Sequence, residues 1–416
     1  MSVFQPFRGI RPQPESAPAV ACPPYDVVNA VEAKGLAGDN ELSFLRVIRP
    51  EIELADGVDP YSQEVYQQGR ANWDRLQAEG HFRQDSAPCF YLYRLTMNGR
   101  SQTGVVGQAS VEDYYNDLIK KHELTRPDKE NDRVNHVREL NAQAEPVFLA
   151  YPSQAEINEL VSSRTQAVPE FSFTAEDAVT HEWWTLDDAE TTSRLESLFA
   201  EVPSFYVADG HHRTAAAARV GKERRENNPD HHGNEAYNYL LAVVFPDDQL
   251  EILDYNRVVR DLNGLSEEEF LGQLAGEFEV GEPMAEPVRP AGRGEFGLYL
   301  GGHWRKLQVK DGSWDRTDPI GRLDVTLLSE RVLDNILGIA DLRRDKRIDF
   351  VGGIRGPLEL ARRVDSGEMA VAFLMHPVSM EDLLAIADAG QIMPPKTTWF
   401  EPKLRSGLVV RSLESG

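Results

Sequence analysis

The chain has 416 residues, 41% of them hydrophobic, with 68 acidic against 44 basic side chains and a formal net charge of −24. A surface this acidic repels nucleic-acid phosphates and anionic lipid headgroups, so neither nucleic acid nor a membrane is an expected partner. No window reaches the roughly 20 uninterrupted apolar residues of a membrane helix, and the opening MSVFQPFRGIRP has no apolar signal core, which predicts a cytoplasmic protein. Cys22 and Cys89 lack CxxC partners, which argues against a disulfide framework and a thiolate zinc site; two buried free thiols are expected, with a single bridge between them as the alternative.

In chain order, the prolines from Pro6 to Pro24 forbid long helices over the first stretch, and Cys22-Pro23-Pro24-Tyr25-Asp26 reads as a rigid extended segment before a turn. Leu42–Ile48 reads as a buried strand, and Tyr61–Ala78 as a helix carrying Val65, Trp73 and Leu76. Cys89–Leu95 and Gly104–Ala109 form a hairpin around Asn98-Gly99. Asp113–Glu123 is expected as a helix, Pro146–Tyr151 as a strand, and the residues to about Ser163 as a helix capped by Ser153. Phe205–Ala208 reads as a strand, Arg213–Arg225 as a helix, and Tyr239–Phe245 as a buried central strand. In the last third, Phe296–Val309 is a hairpin turning at Gly301-Gly302, Asp324–Leu337 and Met380–Ala389 are helices, and Val371–Met375 is a strand. The fold class is mixed α/β (α+β), divided into an N-terminal segment 1–109, a core 110–260 and a C-terminal segment 261–416.

Three constellations carry chemistry. Asp209-Gly210-His211-His212-Arg213-Thr214 sits at a strand-to-helix turn and is followed by four alanines. Asp209 is placed to cap the helix, Gly210 lets a ligand approach the backbone, and the helix start with Arg213 makes a phosphate site. Lys120-Lys121-His122-Glu123, with Arg126, Lys129, Arg133 and His136 behind it, is the densest basic cluster of an acidic chain. There Glu123 is a candidate general base among cations, although a solvated helix end would look the same. Pro394-Pro395-Lys396-Thr397-Thr398 is a stiffened loop offering one lysine and two hydroxyls, suited to a carboxylate or phosphate or simply packed by Trp399 and Phe400. His231-His232 follows the polar run Asn227–Asp230 and reads as an exposed loop, not as part of a metal cluster with His211-His212. Trp183-Trp184 reads as core, and neither GxGxxG nor a Walker loop occurs.

Together these segments resemble the free-serine kinase branch of the ParB/sulfiredoxin-like superfamily. There a His-Glu pair precedes the Asp-Gly-His-His-Arg signature, and a Pro-Lys-Thr-Thr run lies near the C-terminus. The whole chain is also similar to the family known as domain of unknown function 1015, through Pro6-Phe7-Arg8-Gly9, Pro23-Pro24-Tyr25-Asp26, Ser43-Phe44-Leu45, Pro50-Glu51, Lys403-Leu404 and Gly407-Leu408. The resemblance implies a ParB/sulfiredoxin-like core with extra N- and C-terminal α+β segments. It implies a kinase that phosphorylates free L-serine or a similar hydroxy acid from ATP or ADP with Mg2+. Glu123, Asp209 and His211 would be catalytic, and Asp209 would also hold the magnesium. Gly210, His212, Arg213, Thr214, Lys121 and His122 would hold nucleotide phosphates, and Lys396, Thr397 and Thr398 the substrate. Where the smaller kinases carry a histidine two places after the threonine pair, this chain has Phe400. The rival reading is a ParB-like nucleotide-binding or hydrolysing regulatory module; a DNA-reading basic face would mark it, and none is visible.

Overall fold

Asn98 and Gly99 both take positive φ, 53° and 80°, the conformation a two-residue hairpin turn demands. They join strands β2 (Phe90–Met97) and β3 (Arg100–Ser110), the expected hairpin. In this computed structural model, which describes residues 2–414, the hairpin lies inside a large mixed sheet. The other described strands of that sheet are β1 (Phe4–Gln5), β4 (Ile119–Lys120), β5 (Val147–Tyr151), β6 (Phe171–Thr174), β7 (Thr180–Leu186), β8 (Phe205–Asp209) and β9 (Tyr239–Pro246). Their order is β4-β8-β5-β9-β3-β2-β7-β6, with β1 paired to β3. Two pairings are parallel, β4 with β8 and β5 with β9; the rest are antiparallel.

The sheet belongs to the first of two compact units, Met1–Leu250 together with Pro402–Gly416. Val147, Leu149 and Tyr151 alternate along β5 onto one face, where Ile157, Val161, Leu195, Leu198 and Phe199 of helices Ala155–Arg164 and Ala189–Ala200 join the same core. A second core fills the N-terminal layer: Phe44 and Phe82 each meet Trp73 of helix α1 (Gln63–Ala78) edge to face. Helix α2 (Pro127–Leu140) packs through Val134 and Val137 on Ala216 and Val220 of helix α3 (His211–Asn227). The alanines are what let these two helices approach.

Glu251–Glu401 form the second unit. Six of its described strands, β10 (Tyr255–Val259), β11 (Phe278–Val280), β12 (Glu295–Leu300), β13 (His303–Val309), β14 (Ile348–Gly352) and β15 (Val371–Leu374), make an antiparallel sheet in the order β11-β13-β12-β15-β10-β14. Gly301 and Gly302 turn the β12–β13 hairpin as expected, and helix Met380–Asp388 follows β15. The helix from Asp324 becomes π-helical over Ser329–Asp334.

Four local expectations are corrected. Leu42–Ile48 is no strand: Leu45–Ile48 is a helical turn followed by a 3-10 turn at Pro50–Glu53. A short apolar run ending at a proline suits either state, and here Phe44, Leu45, Val47 and Ile48 are all buried. The helix expected over Asp113–Glu123 ends at Tyr115; Asp117 takes φ 58° and the chain turns into β4 to pair with β8. Ser153 does not cap the next helix, whose N-cap is Gln154; its hydroxyl donates to Asp248 at 2.8 Å. Asp209 is not the N-cap residue either, because Gly210 occupies that position. Cys22 and Cys89 are free and buried, and Trp183 and Trp184 are core residues, as expected. Among the described residues no helix is long and apolar enough to cross a membrane.

Candidate functional site

Because β4 and β8 run parallel, with Ile119 opposite Phe205 and Lys120 opposite Tyr206, the segments leaving their carboxyl ends emerge side by side. One is Lys121-His122-Glu123; the other is Gly210, from which α3 begins at His211. This is the position at which open α/β sheets bind ligands. The short edge strand thus joins two motifs separated by more than eighty residues of sequence.

At the turn, Gly210 has φ 93°, which favours glycine over any other residue. A Cβ there would lie 2.9 Å from Nε of Arg213, so the guanidinium lies directly against the glycine backbone. Arg213 is buried; its Nη1 donates to the Pro146 carbonyl at 2.5 Å and its Nη2 to Asp209 at 3.3 Å. Burial opposes the Arg213 charge, but Asp26, Asp209 and Glu145 outweigh it and raise its pKa. Thr214 is fully buried and its hydroxyl donates to the Gly210 carbonyl at 3.0 Å. Arg213 and Thr214 therefore lock the turn from beneath. Lys403 brings its ammonium to 3.7 Å from the Asp209 carboxylate, which stays partly exposed.

Beside the turn, His122 and His211 meet edge to face with ring centroids 4.5 Å apart. Their ring nitrogens and the Glu123 carboxylate place one donor atom each within 4.8 Å of one another. Both rings are buried while Glu123 is half-buried. Burial drives the His122 pKa down to about 4, against the opposing pull of a hydrogen bond with the Val207 backbone and the charge of Asp209. Burial, seconded by His122, pushes His211 well below the usual histidine value. Both imidazoles are thus neutral at pH 7. His212 is half-buried and accepts the Arg126 backbone N–H on Nε2 at 3.0 Å. Lys121 lies 4.3 Å over the ring of Tyr114.

The structure thus brings Lys121, His122, Glu123 and Asp209 to Thr214 to one end of the sheet. Lys396, Thr397 and Thr398 belong to the second unit. There Lys396 is exposed with φ 60°, its carbonyl accepts from Arg257 at 2.9 Å, and the buried Thr397 hydroxyl donates to the Pro394 carbonyl at 2.6 Å. His231 and His232 stay in their own loop beside Glu235, at 3.1 and 3.8 Å. His232 is exposed as expected, but His231 is half-buried and stacked on Tyr237.

Behind the turn lies a buried ionic cluster that sequence reasoning missed. Glu145 accepts from Arg133 at 3.1 Å, from the Tyr25 backbone N–H at 3.1 Å and from the Ser406 hydroxyl at 3.3 Å. Arg133 also pairs with Asp132 at 2.8 Å and stacks 3.8 Å over the ring of Tyr25. Burial pushes the Glu145 carboxyl up, against the pull of Arg133 and Arg213. Tyr25 orients Glu145, and Lys403 meets Asp209.

Comparison with solved structures finds a conserved hypothetical protein from Pyrococcus furiosus, 16% identical, covering 73% of this chain and 93% of its own, at TM-score 0.37. A free serine kinase in complex with AMP is 16% identical, with coverage of 71% and 86% and a TM-score of 0.36. SbnI from Staphylococcus aureus is 10% identical, with coverage of 71% and 82% and a TM-score of 0.36. No curated protein matches the chain. The family described as "Protein of unknown function (DUF1015)" matches residues 4–326, most of the sequence, and the chain belongs to that family.

Proposed function

We propose that the chain is a phosphotransferase that moves a phosphoryl group from ATP or ADP to the hydroxyl of free L-serine or a similar small hydroxy acid. The observation that carries this reading is the placement of the Glu123 carboxylate beside His122 and His211, at the start of helix α3. The first-turn N–H groups and the positive end of the helix dipole form an anion site suited to nucleotide phosphates. A carboxylate next to a phosphate site is the arrangement phosphoryl transfer to an alcohol requires.

In this reading Glu123 takes the proton from the serine hydroxyl as the new P–O bond forms, since that hydroxyl does not ionise unaided at neutral pH. Neutral His211 is available as a hydrogen-bond donor or acceptor beside it, and Arg213 holds Asp209 in place. Magnesium is held in such sites by one or two carboxylates with the remaining ligands from phosphates and water. The partly exposed Asp209 fits that role as a single oxygen ligand. When bound, the ion would neutralise charge on the transferring group.

Phosphorus NMR of the protein with L-serine, magnesium and either ATP or ADP tests the reading. A phosphoserine resonance requiring enzyme and both substrates supports it; nucleotide hydrolysis without any phosphorylated acceptor refutes it. Glu123→Gln should lower turnover at least ~100-fold while nucleotide binding persists, the usual contribution of a general base. A variant with unchanged turnover removes Glu123 from the reaction.

A further inference from the structure

We propose that His122, Glu123 and His211 form a binding site for one divalent transition-metal ion of the zinc type, distinct from any magnesium at Asp209. Two imidazoles and one carboxylate come from two adjacent segments and converge from different directions, leaving the remaining coordination positions to water or substrate. That donor set is the one catalytic zinc and related ions prefer, whereas magnesium takes oxygen ligands. Metal–ligand bonds of about 2.0–2.2 Å put donor atoms roughly 3–4 Å apart, so the 4.8 Å spread closes with modest side-chain rotation.

A second observation points the same way. Nε2 of His211 is buried without a hydrogen-bond partner among the described residues, an arrangement that is unfavourable unless something occupies the space beside it. The two histidines are also anchored by opposite elements, His122 after β4 and His211 on the first turn of α3. The site thus forms only when the parallel strand pair is in register.

One consequence rests on the reading of Glu123 as a base. An ion held by its carboxylate lowers the proton affinity of the oxygen left to accept the serine proton, so zinc binding opposes serine phosphorylation, and zinc is an inhibitor at fixed magnesium.

The test uses the full chain, stripped with a chelator and titrated with Zn2+ against a chromophoric competitor. A single equivalent should bind, with affinity falling at least tenfold in His122→Gln, His211→Gln and Glu123→Gln and unchanged in His232→Ala, whose side chain is exposed. Co2+ supplies an independent readout: visible bands of a nitrogen-ligated ion should appear in the wild type and change in Glu123→Gln, a half-buried position that tolerates the substitution even if the histidine variants misfold. Less than one equivalent bound, or wild-type affinity and spectrum in Glu123→Gln, overturns the metal site. Zinc binding without phosphoserine formation overturns the kinase reading alone, and phosphoserine formation without zinc binding overturns the metal site alone.

Discussion

Around Arg133 burial is matched by opposite charge, whereas around His122 and His211 burial has removed charge altogether. Arg133 and Arg213 stay cationic because Asp132, Asp209, Glu145 and Asp26 surround them, and their pKa values rise in spite of burial. At the two histidines Asp209 pulls the other way, but burial outweighs it, and their pKa values fall. The difference shows that sequence neighbours in this basic cluster do different work. The arginines cement the turn, and the imidazoles are buried edge to face beside Glu123.

The comparison breaks most severely at Glu145. Glu145→Gln should destabilise the protein by about 3–5 kcal/mol in urea unfolding, because it leaves two buried guanidiniums undercompensated. A loss below 1 kcal/mol would mean the cluster is not ionised as described.

A third buried imidazole sharpens the contrast. His136 donates to the Val47 carbonyl at 3.0 Å, and burial with help from Arg133 brings its pKa to about 3. Since the folded value is below the unfolded one, the neutral ring contributes stability above pH 6.5, and this is lost as pH falls toward 3. With an unfolded pKa of ~6.5, the loss at pH 5 is about 2 kcal/mol. His136→Gln should remove that share of the decline between pH 7 and pH 5; an unaltered decline would place the acid sensitivity elsewhere.

Gly210→Ala tests the turn where the two environments meet. A side chain at φ 93° costs about 1–2 kcal/mol and must displace the Arg213 guanidinium, so a lower melting temperature with weaker nucleotide binding is expected. The smallest effect belongs to an exposed pair. Arg194→Ala removes the contact with Glu156, both side chains more than half exposed, and should change stability by less than ~0.5 kcal/mol. A larger change would show that surface charge matters more in this acidic chain than its exposure implies.

The strand–turn–helix at Asp209 was legible because a periodic apolar strand, a glycine and an alanine-rich helix each announce themselves locally. So was the Asn98-Gly99 hairpin. The loop at Glu123 was misread as helix, since β4 is two residues long and exists only through its pairing with β8. Glu145 gave no signal, since its partners Tyr25 and Ser406 are 120 and 261 positions away. The meeting of His122 with His211 was hidden for the same reason, and the histidines of one motif were compared with the wrong second pair. What could have found it is the rule that parallel neighbours deliver their carboxyl ends to one place, had the edge strand been recognised.

The return of Pro402–Gly416 to the first unit sets an order of events during synthesis. Ser406 exchanges backbone hydrogen bonds with Cys22 at 3.2 and 2.9 Å, and Val410 does so with Ile10 at 2.9 Å in both directions. A ribosome must therefore make the whole of the second unit before the first can be closed. Until then Ile10 and Cys22 lack these backbone hydrogen bonds, Glu145 lacks the Ser406 hydroxyl, and Asp209 lacks its lysine. Domains ordinarily fold from the N-terminus as they emerge. Here residues made after the second unit finish a layer made before it, and a nascent chain halted before Pro402 has Asp209 paired with Arg213 but not yet with Lys403.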